Sequence, residues 1–204
     1  SHITLGSYGT GAKPIIHRAT GVGDIIGIER CQTIIVDGFE LKGDLDALST
    51  NGAWNANGVE ASGSSLSTTA VNHDIQIRNC DIHQCYNGVR AIRANNTWDW
   101  ASDSLLVENC NIYNIDEDGI FFSYATYPMI IGCHFWDINM NWFKGVTAPG
   151  DAIQLTWGSK YWKINNNIVD RRTTAGKFAV IVSNLPSTTT PEYVGEFIGN
   201  TINP

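Results

Sequence analysis

The 204-residue sequence predicts an all-β fold, a right-handed parallel β-helix of about five to six stacked coils, and three observations predict it. Short runs of Ile and Val are punctuated by Gly, Asn, Ser and Thr, the pattern of short strands between tight turns. No long window places apolar residues at i, i+3, i+4 and i+7, so helix signals are nearly absent. Two short motifs recur in strict alternation along the chain, and that repetition selects a solenoid over a sandwich or a barrel.

Residues 1–22 form a lead-in, opening Ile3-Thr4-Leu5-Gly6-Ser7-Tyr8-Gly9-Thr10-Gly11-Ala12-Lys13-Pro14-Ile15-Ile16. The first motif then begins with Val36-Asp37-Gly38-Phe39-Glu40-Leu41. It returns as Ile77-Arg78-Asn79-Cys80-Asp81-Ile82, Val107-Glu108-Asn109-Cys110-Asn111-Ile112 and Ile130-Ile131-Gly132-Cys133-His134-Phe135. Two further copies start at Ile164 and Phe197. Each copy reads apolar, any, small-or-Asn, ladder residue, any, apolar. The ladder residues are Phe39, Cys80, Cys110, Cys133, Asn167 and Asn200, spaced 23 to 41 residues apart by subtraction of their numbers. The second motif is Asn57-Gly58-Val59, Asn87-Gly88-Val89, Asp118-Gly119-Ile120, Asp151-Ala152-Ile153 and, degenerately, Lys177-Phe178-Ala179.

A coil of about three short strands explains both motifs. Successive coils pair in parallel ~4.8 Å apart, so residues of equal phase line up in ladders along the axis. Inward ladders of Val, Ile, Leu and Phe make one continuous core. Asn167 and Asn200 can point inward at a bend where their amides bond the backbone or each other. Three of the five cysteines share the ladder position, which predicts buried, reduced thiols filling the core and not a metal centre or a disulfide framework. The two insertions, residues 43–56 and 139–149, feed into strands that follow the second motif, and insertions on one face of a solenoid build its binding face. The whole chain is expected to be one domain, 1–204.

The segment Gly150-Asp151-Ala152-Ile153-Gln154-Leu155, with Ser159-Lys160-Tyr161-Trp162-Lys163-Ile164-Asn165-Asn166-Asn167-Ile168 after it, resembles the repeat of pectate-lyase-like right-handed β-helix proteins. That superfamily includes pectate lyases, polygalacturonases and phage tailspike depolymerases, and the resemblance covers roughly residues 23 to 204. It implies a polysaccharide substrate or partner and a groove along the sheet that follows the Asp-Gly motif. The lead-in is similar to segments that open such coils in secreted bacterial and phage proteins, which implies an extracellular or virion-surface location. No amphipathic cap precedes the first coil, and the chain stops one strand after Asn200, so a piece of a longer solenoid is expected. The sequence leaves monomer and trimer open.

Bulk chemistry is consistent with these expectations. A net charge of −7 argues against a nucleic-acid partner, which needs clustered Lys and Arg. No stretch reaches the roughly 18 apolar residues that suggest a membrane helix. Seven Trp and seven Tyr suit sugar faces.

Stacking places Asp118 and Asp151 one coil apart, beside Asp116 and Glu117. Paired carboxylates are what glycoside hydrolysis requires, one as acid and one as base or nucleophile. The resemblance supports this in part, because Asp118-Gly119 is similar to the first catalytic Asp-Gly of polygalacturonases. A lyase would instead use Lys177 as base, with Arg171 and Arg172 close by. The catalytic candidates are therefore Asp118, Asp151, Lys177 and Arg171. The substrate-binding candidates are Glu117, Trp142, Lys144, Gln154 and Trp157. Two other readings of the acids stand beside these. Asp before Gly can be a turn residue bonding its own backbone, and a cluster of acids can hold Ca²⁺.

Overall fold

The computed structural model describes residues 3–18, 23–29, 31–44, 56–62, 72–92, 102–138, 150–156, 158–170, 179–182 and 195–203. Among them there are 21 strands and no helix. The strands form three parallel sheets, and the chain visits the sheets in a fixed cycle. Sheet A contains β1 (Ile3–Gly6), β4 (Gln32–Asp37), β7 (Asn72–Arg78), β10 (Ser102–Glu108), β14 (Met129–Ile131), β17 (Trp162–Asn165) and β20 (Gly195–Ile198), with β13 (Ala125–Thr126) also pairing β10. Sheet B contains β2 (Ile15–His17), β5 (Glu40–Lys42), β8 (Asp81–Cys85), β11 (Asn111–Ile115), β15 (His134–Ile138), β18 (Ile168–Asp170) and β21 (Thr201–Asn203). Sheet C contains β3 (Ile26–Glu29), β6 (Val59–Ser62), β9 (Val89–Ala91), β12 (Ile120–Ser123), β16 (Ile153–Thr156) and β19 (Val180–Val182). One passage through A, B and C is one coil. The stretch expected as a lead-in already carries β1 and β2, which pair with β4 and β5.

The first motif is the bend from sheet A to sheet B. Its small-or-Asn position is the same in every copy: Gly38, Asn79, Asn109, Gly132, Asn166 and Gly199 all have φ between 51° and 79°. Only Gly, and less readily Asn, takes this left-handed conformation cheaply, which is why the motif admits those two residue types. The ladder residue follows and points inward. Cys80, Cys110 and Cys133 are buried and free, stacked in successive coils. Thiol–thiol contact, together with burial, pushes the Cys80 and Cys110 thiols well above the usual cysteine range. Beyond Cys133 the ladder turns polar. Asn167 Nδ2 donates to Asn200 Oδ1 at 2.9 Å and to the Ile130 carbonyl at 2.9 Å, and the Cys133 N–H donates to Asn167 Oδ1 at 2.9 Å.

Inward rows then run the length of the axis. Val36, Ile77, Val107, Ile130 and Ile164 line up on sheet A, and Leu41, Ile82, Ile112, Phe135 and Val169 on sheet B. All ten are buried in one apolar cluster. Sheet C contributes Val59, Val89, Ile120 and Ile153. The glycines of the second motif make room for sheet B. A Cβ on Gly88 would lie 2.7 Å from Ile112 and 2.5 Å from the Gly119 carbonyl oxygen. A Cβ on Gly119 would lie 2.9 Å from the Phe135 ring and 2.6 Å from the Ala152 carbonyl oxygen.

Candidate functional site

The second motif is the bend from sheet B to sheet C, and its first residue lies inside the bend. Asp24, Asn57, Asn87, Asp118 and Asp151 succeed one another there in a hydrogen-bonded ladder. Asn57 Nδ2 donates to Asp24 Oδ1 at 2.8 Å, and Asn87 Nδ2 donates to Asn57 Oδ1 at 2.9 Å. The Asp118 N–H donates to Asn87 Oδ1 at 3.1 Å, and the Asp151 N–H donates to Asp118 Oδ1 at 2.7 Å. The structure therefore brings Asp118 and Asp151 together. It also buries them, at 3% and 2% exposure, with Asp118 bonded within the bend ladder and not presented on the outer face. Burial, joined by the charges of Glu117 and Asp151, pushes the Asp118 carboxyl up to about 8 against the pull of the Asp151 N–H and Arg90.

Other residues present charge on the outer face of sheet C. Strand alternation puts Ile120, Phe122, Ile153 and Leu155 inward, so Gly27, Glu60, Arg90, Phe121, Gln154 and Ile181 form the outward row. Arg90 Nη1 lies 3.3 Å from Glu60 Oε2. Burial raises the Glu60 carboxyl above its usual range, with Asp24 adding to the rise and Arg90 opposing it. Glu117 lies where the chain enters β12. Its carboxyl is raised by burial, against a hydrogen bond with the Tyr86 hydroxyl and the charge of Arg90. One guanidinium thus acts on two carboxylates, Glu60 through an ion pair and Glu117 through its charge.

Of the residues read from the sequence, Gln154 lies in this outward row and Glu117 in the bend before β12. Glu60, Arg90 and Phe121 were not picked out. The signal for them was present: they follow the second motif directly, in Asn57-Gly58-Val59-Glu60, Asn87-Gly88-Val89-Arg90 and Asp118-Gly119-Ile120-Phe121. Lys177, Arg171, Arg172, Trp142, Lys144 and Trp157 lie outside the described residues, as do the whole 139–149 insertion and most of the 43–56 insertion. Among the described residues no three His, Cys, Asp or Glu side chains gather to hold a metal ion.

Sheet B carries a different outer surface. His83, Tyr113 and Trp136 stack face to face in successive coils, with ring centroids 4.7 and 4.4 Å apart. Tyr113 thus has both faces covered by its neighbours, and the stack stiffens the sheet. Trp162 packs against the apolar cluster.

Comparison with known proteins gives a family and a set of similar folds. The family model described as a right-handed beta helix region matches residues 26–190. Among solved structures, PfbA, a surface adhesin of Streptococcus pneumoniae, is similar at a TM-score of 0.58 and 14% identity, over 92% of this chain and 46% of that one. The enzymatically active domain of tailspike protein 2 from bacteriophage CBA120 is similar at a TM-score of 0.47 and 19% identity, over 83% of this chain and 30% of that one. The full-length form of that tailspike protein gives a TM-score of 0.46 and 15% identity, over 88% and 31%. This chain spans less than half the length of each of these structures. No curated protein matches it.

Proposed function

Because the chain belongs to the right-handed beta helix family, we propose that it works outside the cell or on a virion surface, where it binds a polysaccharide along the outer face of sheet C and hydrolyses it. The observation that carries this reading is the pair of carboxylates that share the charge of Arg90, Glu60 in an ion pair with it and Glu117 under its electrostatic influence. Burial raises the Glu117 carboxyl, as acid catalysis needs. Glu60 and Glu117 belong to coils two apart, and inverting hydrolysis uses one carboxyl group as acid and a second as base toward a water. Glu117 serves as the acid and Glu60 as the base. Phe121 offers an apolar ring to a sugar face, and Gln154 a carboxamide to its hydroxyls.

A second reading has its own support. Glu60 is already committed to Arg90 and to Asn57, as befits a face that binds without cutting. PfbA, which shares the fold, is an adhesin.

Incubation with neutral and acidic polysaccharides separates these readings. Hydrolysis yields new reducing ends without ultraviolet-absorbing products, and Glu117→Gln slows it at least about 100-fold while the melting temperature holds. Unsaturated products would replace hydrolysis with lyase chemistry and turn attention to Lys177 and Arg171. Binding without products selects the adhesin-type reading. No binding to any polysaccharide overturns the proposal.

A further inference from the structure

A column of left-handed residues runs along the corner where the chain enters sheet A. Thr33, Asp74, Ser104, Tyr127 and Tyr161 occupy one phase in successive coils, fixed by the pairings on either side of them. All five have φ between 53° and 62°. The coils impose this conformation, and a short residue such as Ser104 meets it, so the fold by itself does not call for a bulky ring there. The last two positions nevertheless carry tyrosines. Their rings stack with centroids 4.9 Å apart and planes 17° from parallel. That separation is one coil repeat, ~4.8 Å. Tyr161 therefore covers one face of the Tyr127 ring, and the other face looks along the axis towards Ser104. Ser104 is too short to cover it, and Tyr127 is 50% exposed.

Polar groups border the slot above Ser104. Asp103 precedes Ser104 and pairs with His73 of the adjacent coil at 3.1 Å, and both side chains reach solvent, at 34% and 49% exposure. Ser104 Oγ donates to Asp103 Oδ1 at 3.2 Å, and Asp74, one coil further, accepts from Gln76 Nε2 at 2.8 Å. Lys163 stands on the far side of the tyrosine pair, in the Tyr161 coil. A pyranose suits such a slot. Its C–H face is attracted to the negative face of an aromatic ring, and its hydroxyls donate to carboxylates. Asp74 and Asp103 repel the carboxylate of a uronate.

We propose that the open face of Tyr127, above Ser104 and beside Asp103, is a second carbohydrate site that stacks one uncharged pyranose unit, apart from the outer face of sheet C. The inference rests on the reading of the ligand as a polysaccharide and adds a contact of its own on sheet A.

The test measures binding of the full chain to a neutral glucan, a neutral galactomannan and polygalacturonate by calorimetry. Wild type prefers a neutral polysaccharide. Tyr127→Ser, which removes the ring, weakens that binding about fivefold or more, and Tyr127→Trp retains it. Ser104→Tyr fills the slot with a third ring and weakens binding as much, with Tyr127 still in place. Wild-type affinity in Tyr127→Ser or in Ser104→Tyr, or a preference for polygalacturonate, overturns this site and leaves the sheet C face standing. Loss of binding in both variants with Phe121→Ala unaffected supports this site and overturns the sheet C face instead. Failure of wild type to bind any of the three overturns both.

Discussion

Asp118→Asn stabilises the protein at pH 8 and removes most of a stability loss that the wild type shows as pH rises from about 4 to 8. The Asp118 carboxyl is pushed from an ordinary 3.8 to about 8, chiefly by burial. A group whose folded value is raised favours the fold fully below its unfolded value. That advantage drains away as pH climbs toward the folded value, because the unfolded chain ionises first. The window is therefore about pH 4 to 8, and the loss across it is on the order of a few kcal/mol. Asn belongs at this position by the ladder's own logic. Asn87 uses its Nδ2 to donate to Asn57 Oδ1, and an Asn at 118 would direct the equivalent nitrogen at Asn87 Oδ1. It would keep its oxygen for the Asp151 N–H. Chemical denaturation at pH 4 and pH 8 checks this. Equal slopes of stability against pH in variant and wild type would show that Asp118 ionises as freely folded as unfolded. If a substrate is cut, loss of turnover in this variant with the fold intact would assign Asp118 a chemical role as well.

Phe135→Ala costs about 3–5 kcal/mol, the ordinary penalty for emptying a fully buried aromatic site. Phe135 is fully buried between Ile112 and Val169 in the sheet B row. It also occupies the space that Gly119 leaves by lacking a Cβ. Gly119→Ala alone forces that ring and the Ala152 carbonyl aside, for about 1–3 kcal/mol. In the double variant the ring clash is gone, so the combined loss is smaller than the sum of the two. Strict additivity in denaturant titrations would mean that the two motifs do not meet at this bend.

This coupling shows how much of the fold was legible. The position that alternates between Gly and Asn is a left-handed backbone position, and the residue after it is inward, so the motif carried its own geometry. The bend from sheet B to sheet C was legible too, as the row that sets Asp118 and Asp151 in adjacent coils. Asp118 lies two residues before Ile120, and period-2 counting puts it on the same inner side as Ile120 and Phe122. The acids attracted notice as chemistry, whereas the outward row, Glu60, Arg90 and Phe121, lies three residues beyond the motif's first position. Other features left no trace to read. Thr33, Asp74 and Ser104 take φ values of 54° to 62° in the middle of sheet A strands. A β-branched Thr gives no local hint of that conformation, which the stacked coils impose.

The location of the binding face is the claim on which the functional account turns, and hydroxyl-radical footprinting tests it directly. The protein is oxidised with and without the polysaccharide it binds best, and side-chain modification is read by mass spectrometry. The account predicts ligand protection of Phe121 on sheet C, with Tyr113 and Trp136 on sheet B modified equally in both samples. Protection of Tyr113 and Trp136 with Phe121 unchanged would place the polysaccharide on sheet B and contradict it.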